Sequence, residues 1–404
     1  MRILLVQPSL QPPGGGNAVG AWMLEALKDQ HELTALTWRP PDPAAMDRFF
    51  GTNLLRSTIR WQVLDGAFRW GLDHSPLGLA FLKDEVLLRR ARAIAGAYDL
   101  LVTANNESDL GGGGIQYVHY PRFDPERPEV DLRWYNRSRP LMAAYRRASA
   151  AATGASLERM RRNVTLVNSD WVGARIRRLH SVETITLRPP VAGSFPDVPW
   201  EARADGFCCV GRIAPEKRIE RVLDVLAEVR RRGRDVRLHV IGAPDDLAYT
   251  RRVRERVARH ADWATLHEDL PREALVRLLA ANRYGLHAME EEHFGMAVAE
   301  MARAGCIPFV PRGGGQVEIV GGDERFLYAS AGEAVAKILA TLDDPAEQRA
   351  MRAHLAARVP DFAVENFMER IRAVVEGFMR LPSERGALPR CAHAAAPGSR
   401  RDAN

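Results

Sequence analysis

The sequence predicts an α/β fold of two Rossmann-like doubly wound domains facing across a cleft. Apolar runs of strand length alternate with helix-period segments through both halves of the 404 residues, the pattern of parallel sheets covered by helices. A proline-rich stretch, 187–206, with Pro189, Pro190, Pro196 and Pro199, interrupts the alternation once and reads as a linker. The length also exceeds what one core sustains. The expected division is a domain over 1–190, a linker over 191–206, a second domain over 207–360, a last helix within 361–380, and a disordered tail over 381–404.

The N-terminal half opens with strand RILLVQ (2–7), glycine loop PPGGGNAVG (12–20), helix 21–29 and strand 31–38. This is a β-loop-α-β unit. The apolar start is too short for a signal-peptide core, so it is assigned to a buried first strand. Residues 40–95 read as irregular, ending in a helix over 84–97. Strands follow over 99–105, 114–120 and 163–169, with helical sequence at 138–162 and after the last strand. Beyond the linker the alternation restarts with strand 207–213 and helix 219–233. It continues with strand 236–242, helix 249–261, strand 264–269, helix 272–282, strand 283–289, helix 296–305 and strand 306–311. Glycine loop RGGGQVEIV (312–320) and a final helix, 363–379, complete the reading.

Composition narrows the function classes. The net charge of +6 suits anionic ligands, but no zinc-finger, RNA-recognition or helix-turn-helix signature is present, so nucleic acid is not expected as a partner. Four cysteines, two of them adjacent, form neither a disulfide framework nor a metal pattern; a reducing cytoplasm and no metal are expected. Only Lys28, Lys83, Lys217 and Lys337 are lysine, against a large excess of arginine. A lysine in a loop of this chain is therefore informative.

Five stretches carry chemistry. In MEEEHFGMAVAEMARAG (289–305), Glu292 falls in a loop and Glu300 in the second turn of the following helix. The N–H groups of Gly295 and Met296 lie at its start, where they can bind an anion or a sugar hydroxyl. The helix dipole accounts for Glu290 and Glu291. It does not account for Glu300, a carboxylate on an otherwise apolar helix. In GRIAPEKR (211–218), Arg212 and Lys217 follow a strand and can clamp a diphosphate and stabilise its growing charge; a solvated basic loop is the plainer alternative. In RGGGQVEIV, Gly313, Gly314 and Gly315 allow backbone to approach phosphate. The loop holding Gly15 and Gly16 matches it across the cleft, though it lacks the dinucleotide spacing. In QYVHYP, His119 ends a strand and can bond a sugar hydroxyl or the reacting centre; a structural histidine is the alternative.

The motifs GR-x-x-x-E-K and E-H-F-G-x-x-x-x-E-M-x-x-A-G-x-I-P resemble the donor domain of GT-B retaining glycosyltransferases of family 4. The segments EHFGMAVAEMARAG and YVHYP are most similar to the group adding α-1,2-mannose to a lipid-linked oligosaccharide. The resemblance implies a nucleotide-diphosphate sugar donor, GDP- or UDP-linked, and a glycan or lipid-linked acceptor. A hexose, mannose favoured, would be transferred with retention and without a metal or other cofactor. It assigns Arg212 and Lys217 to the diphosphate and Glu300 to the ribose. Glu292 and the backbone of Phe294, Gly295 and Met296 go to the sugar, and His119 to the reacting centre. Gly15, Gly16 and Gly314 would line the donor, and the final helix would cross back to the first domain. No N-terminal anchor is seen, and 40–95 shows no match to the lipid-pathway group. Two rival readings are an epimerase or phosphorylase on the same plan and a non-catalytic nucleotide-sugar-binding partner. The arginine- and aromatic-rich stretches 68–83 and 133–147 read either as a peripheral contact with the inner face of an anionic membrane or as ordinary solvated surface.

Overall fold

Apolar strands separated by amphipathic helices assemble here into two parallel sheets. The computed structural model describes residues 1–12, 14–124 and 138–380. The tail expected over 381–404, and residues 133–137 of the second arginine-rich stretch, lie outside the described residues. The first half comprises β1 (Arg2–Gln7), α1 (Gly15–Leu27), β2 (Glu32–Thr37), α2 (Pro43–Phe50), β3 (Arg60–Val63), α3 (Ala67–Asp73) and α4 (Ala80–Ile94). It continues with β4 (Leu100–Thr103), β5 (Ile115–Val118), α5 (Arg139–Thr153), α6 (Leu157–Met160), β6 (Val164–Val167), α7 (Asp170–His180) and β7 (Thr184–Thr186). The second half comprises β8 (Ala204–Val210), α8 (Ile219–Arg231), β9 (Arg237–Gly242), α9 (Leu247–Ala258), β10 (Ala264–Glu268), α10 (Arg272–Ala280) and β11 (Asn282–Leu286). Then come α11 (Met296–Arg303), β12 (Ile307–Pro311), α12 (Gln316–Ile319), β13 (Leu327–Tyr328), α13 (Ala331–Asp343), α14 (Pro345–Arg358) and α15 (Val364–Met379).

Among the described residues one sheet runs β3-β2-β1-β4-β5-β6-β7 and the other β10-β9-β8-β11-β12-β13. Every pairing is parallel. Each order steps outward from its first strand and then restarts on the other side. The loops leaving β1 and β4, and those leaving β8 and β11, therefore diverge and open a crevice at the strands' carboxyl ends. Both faces of β1 are covered: Ile3 and Leu5 join one core, Leu4 and Val6 another, which is why it reads as an unbroken apolar run. The second domain closes around Phe207, Val222, Leu226, Leu238, Phe309 and Ile338.

The last helix packs on the first domain. Phe367, Ile371 and Val375 repeat every four residues along α15 and are buried in the core that holds α1. Arg372 Nε donates to the Ala26 carbonyl at 2.7 Å. Each of these apolar side chains contributes about 1.5–3 kcal/mol by leaving water.

Several local expectations shift. β8 begins at Ala204, before the expected 207, so the linker is shorter than drawn. α1 begins at Gly15 and takes part of the expected glycine loop into a helix. The region 40–95 is not irregular but holds α2, β3, α3 and the whole of α4, which begins at Ala80, before the expected 84. Edge strands β3 and β7 escaped notice because they are short and largely unburied, so no apolar run marks them.

Candidate functional site

The crevice of the second sheet is built from the loops after β8 and β11. After β8 the chain turns at Gly211, whose φ is +154°. A Cβ there would lie 3.3 Å from Lys217 Cε, and a Cβ at Gly242 would strike the Gly211 carbonyl at 1.8 Å. These two glycines let the loop fold down so that Lys217 reaches across the crevice. Lys217 Nζ donates to Glu292 Oε2 at 2.5 Å and lies 3.4 Å from Met289 Sδ. His287 Nε2 is 3.2 Å from the same carboxylate oxygen. Both side chains of the ion pair are about 15% exposed, at 14% and 15%. Burial alone would raise the Glu292 carboxyl; the Lys217 ammonium, then the His287 hydrogen bond, reverse this and hold it well below the ordinary carboxylate value.

The loop carrying Glu292 is pinned on all sides. Glu290 pairs with Arg218 and with Arg221, the latter at 2.8 Å, and Glu291 pairs with Arg175 of the first domain at 3.0 Å. Their role is thus to anchor the loop, not merely to suit the α11 dipole. Arg218 sits at φ +48°, a left-handed conformation that costs on the order of 1 kcal/mol, and its ion pair with Glu290 helps hold it there. The glycine loop packs on the same segment. A Cβ at Gly314 would meet the Glu292 carbonyl at 2.3 Å, and one at Gly315 the His293 carbonyl at 2.2 Å. Gly315 N–H donates to the Glu292 carbonyl at 2.7 Å. The absence of side chains at Gly313, Gly314 and Gly315 is therefore required by packing against 290–293. Packing on this segment is thus one reason for these glycines, beside the expected approach of backbone to phosphate.

The first domain meets this loop directly. The His293 ring stacks on Tyr120 at 4.1 Å and lies parallel to Trp171 at 6.3 Å. Ser169 Oγ caps α7 by accepting from Val172 N–H and donates to the His293 carbonyl at 2.6 Å. Gly16 lies against His119: a Cβ there would be 3.3 Å from Nε2. A Cβ on Gly15 would be 3.4 Å from Met296 Cγ. His119 Nε2 is 2.9 Å from the Ala104 carbonyl, and since a carbonyl can only accept, Nε2 carries the hydrogen. Burial lowers His119 to about 4, and burial followed by the cations Lys217, Arg175 and Arg212 lowers His293 to about 4 despite Glu292. Both rings are neutral near pH 7.

The structure thus gathers Lys217 and Glu292 at one crevice, and Gly15, Gly16, His119 and Met296 where the domains meet. Gly295 caps α11 at φ +105°, with Gln316 Cβ only 3.2 Å from where its own Cβ would stand. Phe294 is 3% exposed and belongs to the core. Arg212 is held by carboxylates other than Lys217's partner. It pairs with Asp245, and with Glu216 at 2.8 Å, and is 56% exposed. Glu300 is not an open carboxylate, because Arg272 pairs with it. Sequence reasoning missed His287, His293 and Arg272. His287 closes a strand just as His119 does, so the same argument would have found it; Arg272 carries no local signal.

Two facing doubly wound domains of this strand order, with loops converging across one cleft, define the GT-B fold. Residues 196–358 match the family described as glycosyl transferases group 1, so the chain carries a glycosyltransferase group 1 domain. It is 29% identical over 172 residues, 37% of its length, to a GDP-Man:Man(3)GlcNAc(2)-PP-Dol alpha-1,2-mannosyltransferase of Candida glabrata, and spans 32% of that relative. Among solved structures, Anabaena Alr3699/HepE in complex with UDP and glucose superposes with a TM-score of 0.66 at 17% identity, covering 93% of this chain and 99% of that one. WaaG, a glycosyltransferase involved in lipopolysaccharide biosynthesis, gives 0.64 at 15% identity over 93% and 100%. At these identities the structures establish the fold.

Proposed function

We propose that this chain is a retaining glycosyltransferase that moves a hexose, mannose favoured, from a nucleotide-diphosphate sugar to a glycan, lipid-linked or small-molecule acceptor. The single observation that carries the reading is the buried Lys217–Glu292–His287 cluster, set at a switch-point crevice where α/β sheets take ligands. Lys217 would leave Glu292 for the diphosphate, and Glu292 would accept from sugar hydroxyls. The first-turn N–H groups of α1 at Gly15 and Gly16 have no partner within their helix and face the same junction. The anomeric C–O bond to the diphosphate breaks as the acceptor oxygen bonds on the same face. The acceptor's proton passes to the leaving phosphate, so no side-chain nucleophile is required. His119, neutral and fixed by Ala104, would serve as a hydrogen-bonding group at the reacting centre.

Mannose is supported by the Candida glabrata relative, whose name specifies GDP-mannose; the Anabaena structure holds UDP and glucose. Thermal shift against GDP-mannose, UDP-glucose and dTDP-glucose separates these donors, since the tightest ligand raises Tm most. No shift with any of them would overturn the reading. Activity that persists in a chelator would agree with charge neutralisation by Lys217 and Arg212. Trp70, 66% exposed, and Leu77, 55% exposed, lie in the stretch 68–83 of the first domain and would form the peripheral membrane contact. Failure to co-sediment with anionic vesicles at low salt would remove it.

A further inference from the structure

Glu300 has one oxygen already committed. Its Oε1 accepts from Arg272 Nη1, and the second terminal nitrogen of that guanidinium donates to the Ala192 carbonyl at 2.8 Å. The two side chains are 14% and 17% exposed. The Arg272 guanidinium also lies 5.8 Å from the centre of the Phe195 ring. Gly193 sits at φ +110°, where a side chain is strained, and a Cβ there would stand in ordinary contact, 3.6 Å, with Arg272 Nε and Nη2. Arg272 opens α10, immediately after Pro271. One cation therefore joins α10, the carboxylate on α11, and the linker segment Ala192–Phe195 between the domains.

We propose that Arg272 is the positioning residue for the nucleoside end of the donor site. It holds one oxygen of Glu300 so that the other is presented to a ribose diol. Through the Ala192 carbonyl it ties occupation of that end to the linker. The argument is one of charge and geometry. A carboxylate this buried, deprived of its cation, is left with an uncompensated charge and swings toward water, where it no longer presents an oxygen to the diol. A planar guanidinium fixes a carboxylate's orientation and still has a second terminal nitrogen for the linker, whereas an ammonium is a single point charge. The inference rests on the glycosyltransferase reading and assigns a residue that its motifs do not contain.

The test is calorimetric titration of the full-length chain with UDP, GDP and inorganic pyrophosphate, in wild type, Arg272→Ala, Arg272→Lys, Glu300→Gln and the double variant Arg272→Ala/Glu300→Gln. Pyrophosphate probes the Lys217 end alone. Arg272→Ala should weaken the better-binding nucleoside diphosphate by about tenfold or more and leave pyrophosphate binding unchanged. In turnover it should raise KM for the donor more than it lowers kcat. Arg272→Lys should restore part of the loss. If Arg272 acts through Glu300, the double variant should bind no more weakly than Glu300→Gln. Wild-type nucleotide affinity in Arg272→Ala, or equal weakening of nucleotide and pyrophosphate, overturns the positioning role alone. A wild-type protein that binds none of the three ligands overturns it together with the glycosyltransferase reading.

Discussion

Lys217 and Glu292 neutralise each other in the absence of a donor, and that makes their substitutions separable. Removing Lys217 leaves a buried carboxylate facing only His287, and an uncompensated buried charge costs about 3–5 kcal/mol. Lys217→Ala should therefore lose both activity and stability, with a clear fall in the urea midpoint. Adding Glu292→Gln to it removes the orphaned charge and should recover most of the midpoint while activity stays lost. Full stability in Lys217→Ala alone would show that the pair is not buried as described. The histidines add a pH dependence. His119 and His293 drop from 6.5 when unfolded to about 4 when folded. Their stabilisation is complete above 6.5 and is lost as the pH falls toward 4, because the unfolded chain binds protons that the folded chain refuses. Near pH 5.5 each should cost roughly 1 kcal/mol by this linkage. Urea midpoints measured from about pH 7 to 5 should fall, and the slope should flatten in a His119→Asn variant.

At the level of elements, β1, β4 and β8 were legible because parallel strands covered on both faces must be apolar throughout. The same rule hides β3 and β7, which sit at an edge and bury little. Lys217 and Glu292 were legible because each lies in a loop that directly follows a strand, where chain position fixes spatial position. Arg272 was not, since its partners Ala192 and Glu300 are far away in sequence and only the tertiary fold brings them to it. Arg212 lies in the same loop as Lys217, yet it points to Asp245 and Glu216, because sequence sets where a loop is and not which way each side chain turns. The helix α15 offers a direct check on packing. Phe367 is 1% exposed in the first domain's core, although it lies beyond the whole second domain in sequence. Phe367→Ala should destabilise by about 3–5 kcal/mol. Because α15 follows the second domain and packs on the first, the loss should appear in the first domain's core, read as faster amide hydrogen exchange in β1 and α1; a change confined to the second domain would contradict this packing.

At the scale of the whole molecule, the segment 291–293 of the second domain is one place where, among the described residues, the first domain is met directly. His293 is stacked by Tyr120 and Trp171, and its carbonyl is held by Ser169. Nearby, Glu318 of the second domain accepts from the Asp170 and Trp171 N–H groups at 3.0 and 2.9 Å, so the amino end of α7 grips a carboxylate as helix ends grip anions. Burial pushes the Glu318 carboxyl up, only partly offset by those two N–H groups. The residue after Glu292 is thus the one that the first domain holds, and domain contact and placement of the proposed sugar-binding carboxylate are mechanically one event. Each charge-assisted bond is worth about 1.5–3 kcal/mol, and the stack about 0.5–1.5 kcal/mol beyond its buried area. Tyr120→Ala combined with Glu318→Gln should remove enough of this to favour an open arrangement, visible as a larger radius of gyration in small-angle scattering. Lys217 and Glu300 are held by Glu292 and Arg272, so affinity for UDP or GDP should change little while kcat falls at least tenfold. An unchanged radius with unchanged kcat would show that the clasp on His293 does not govern how the two domains meet.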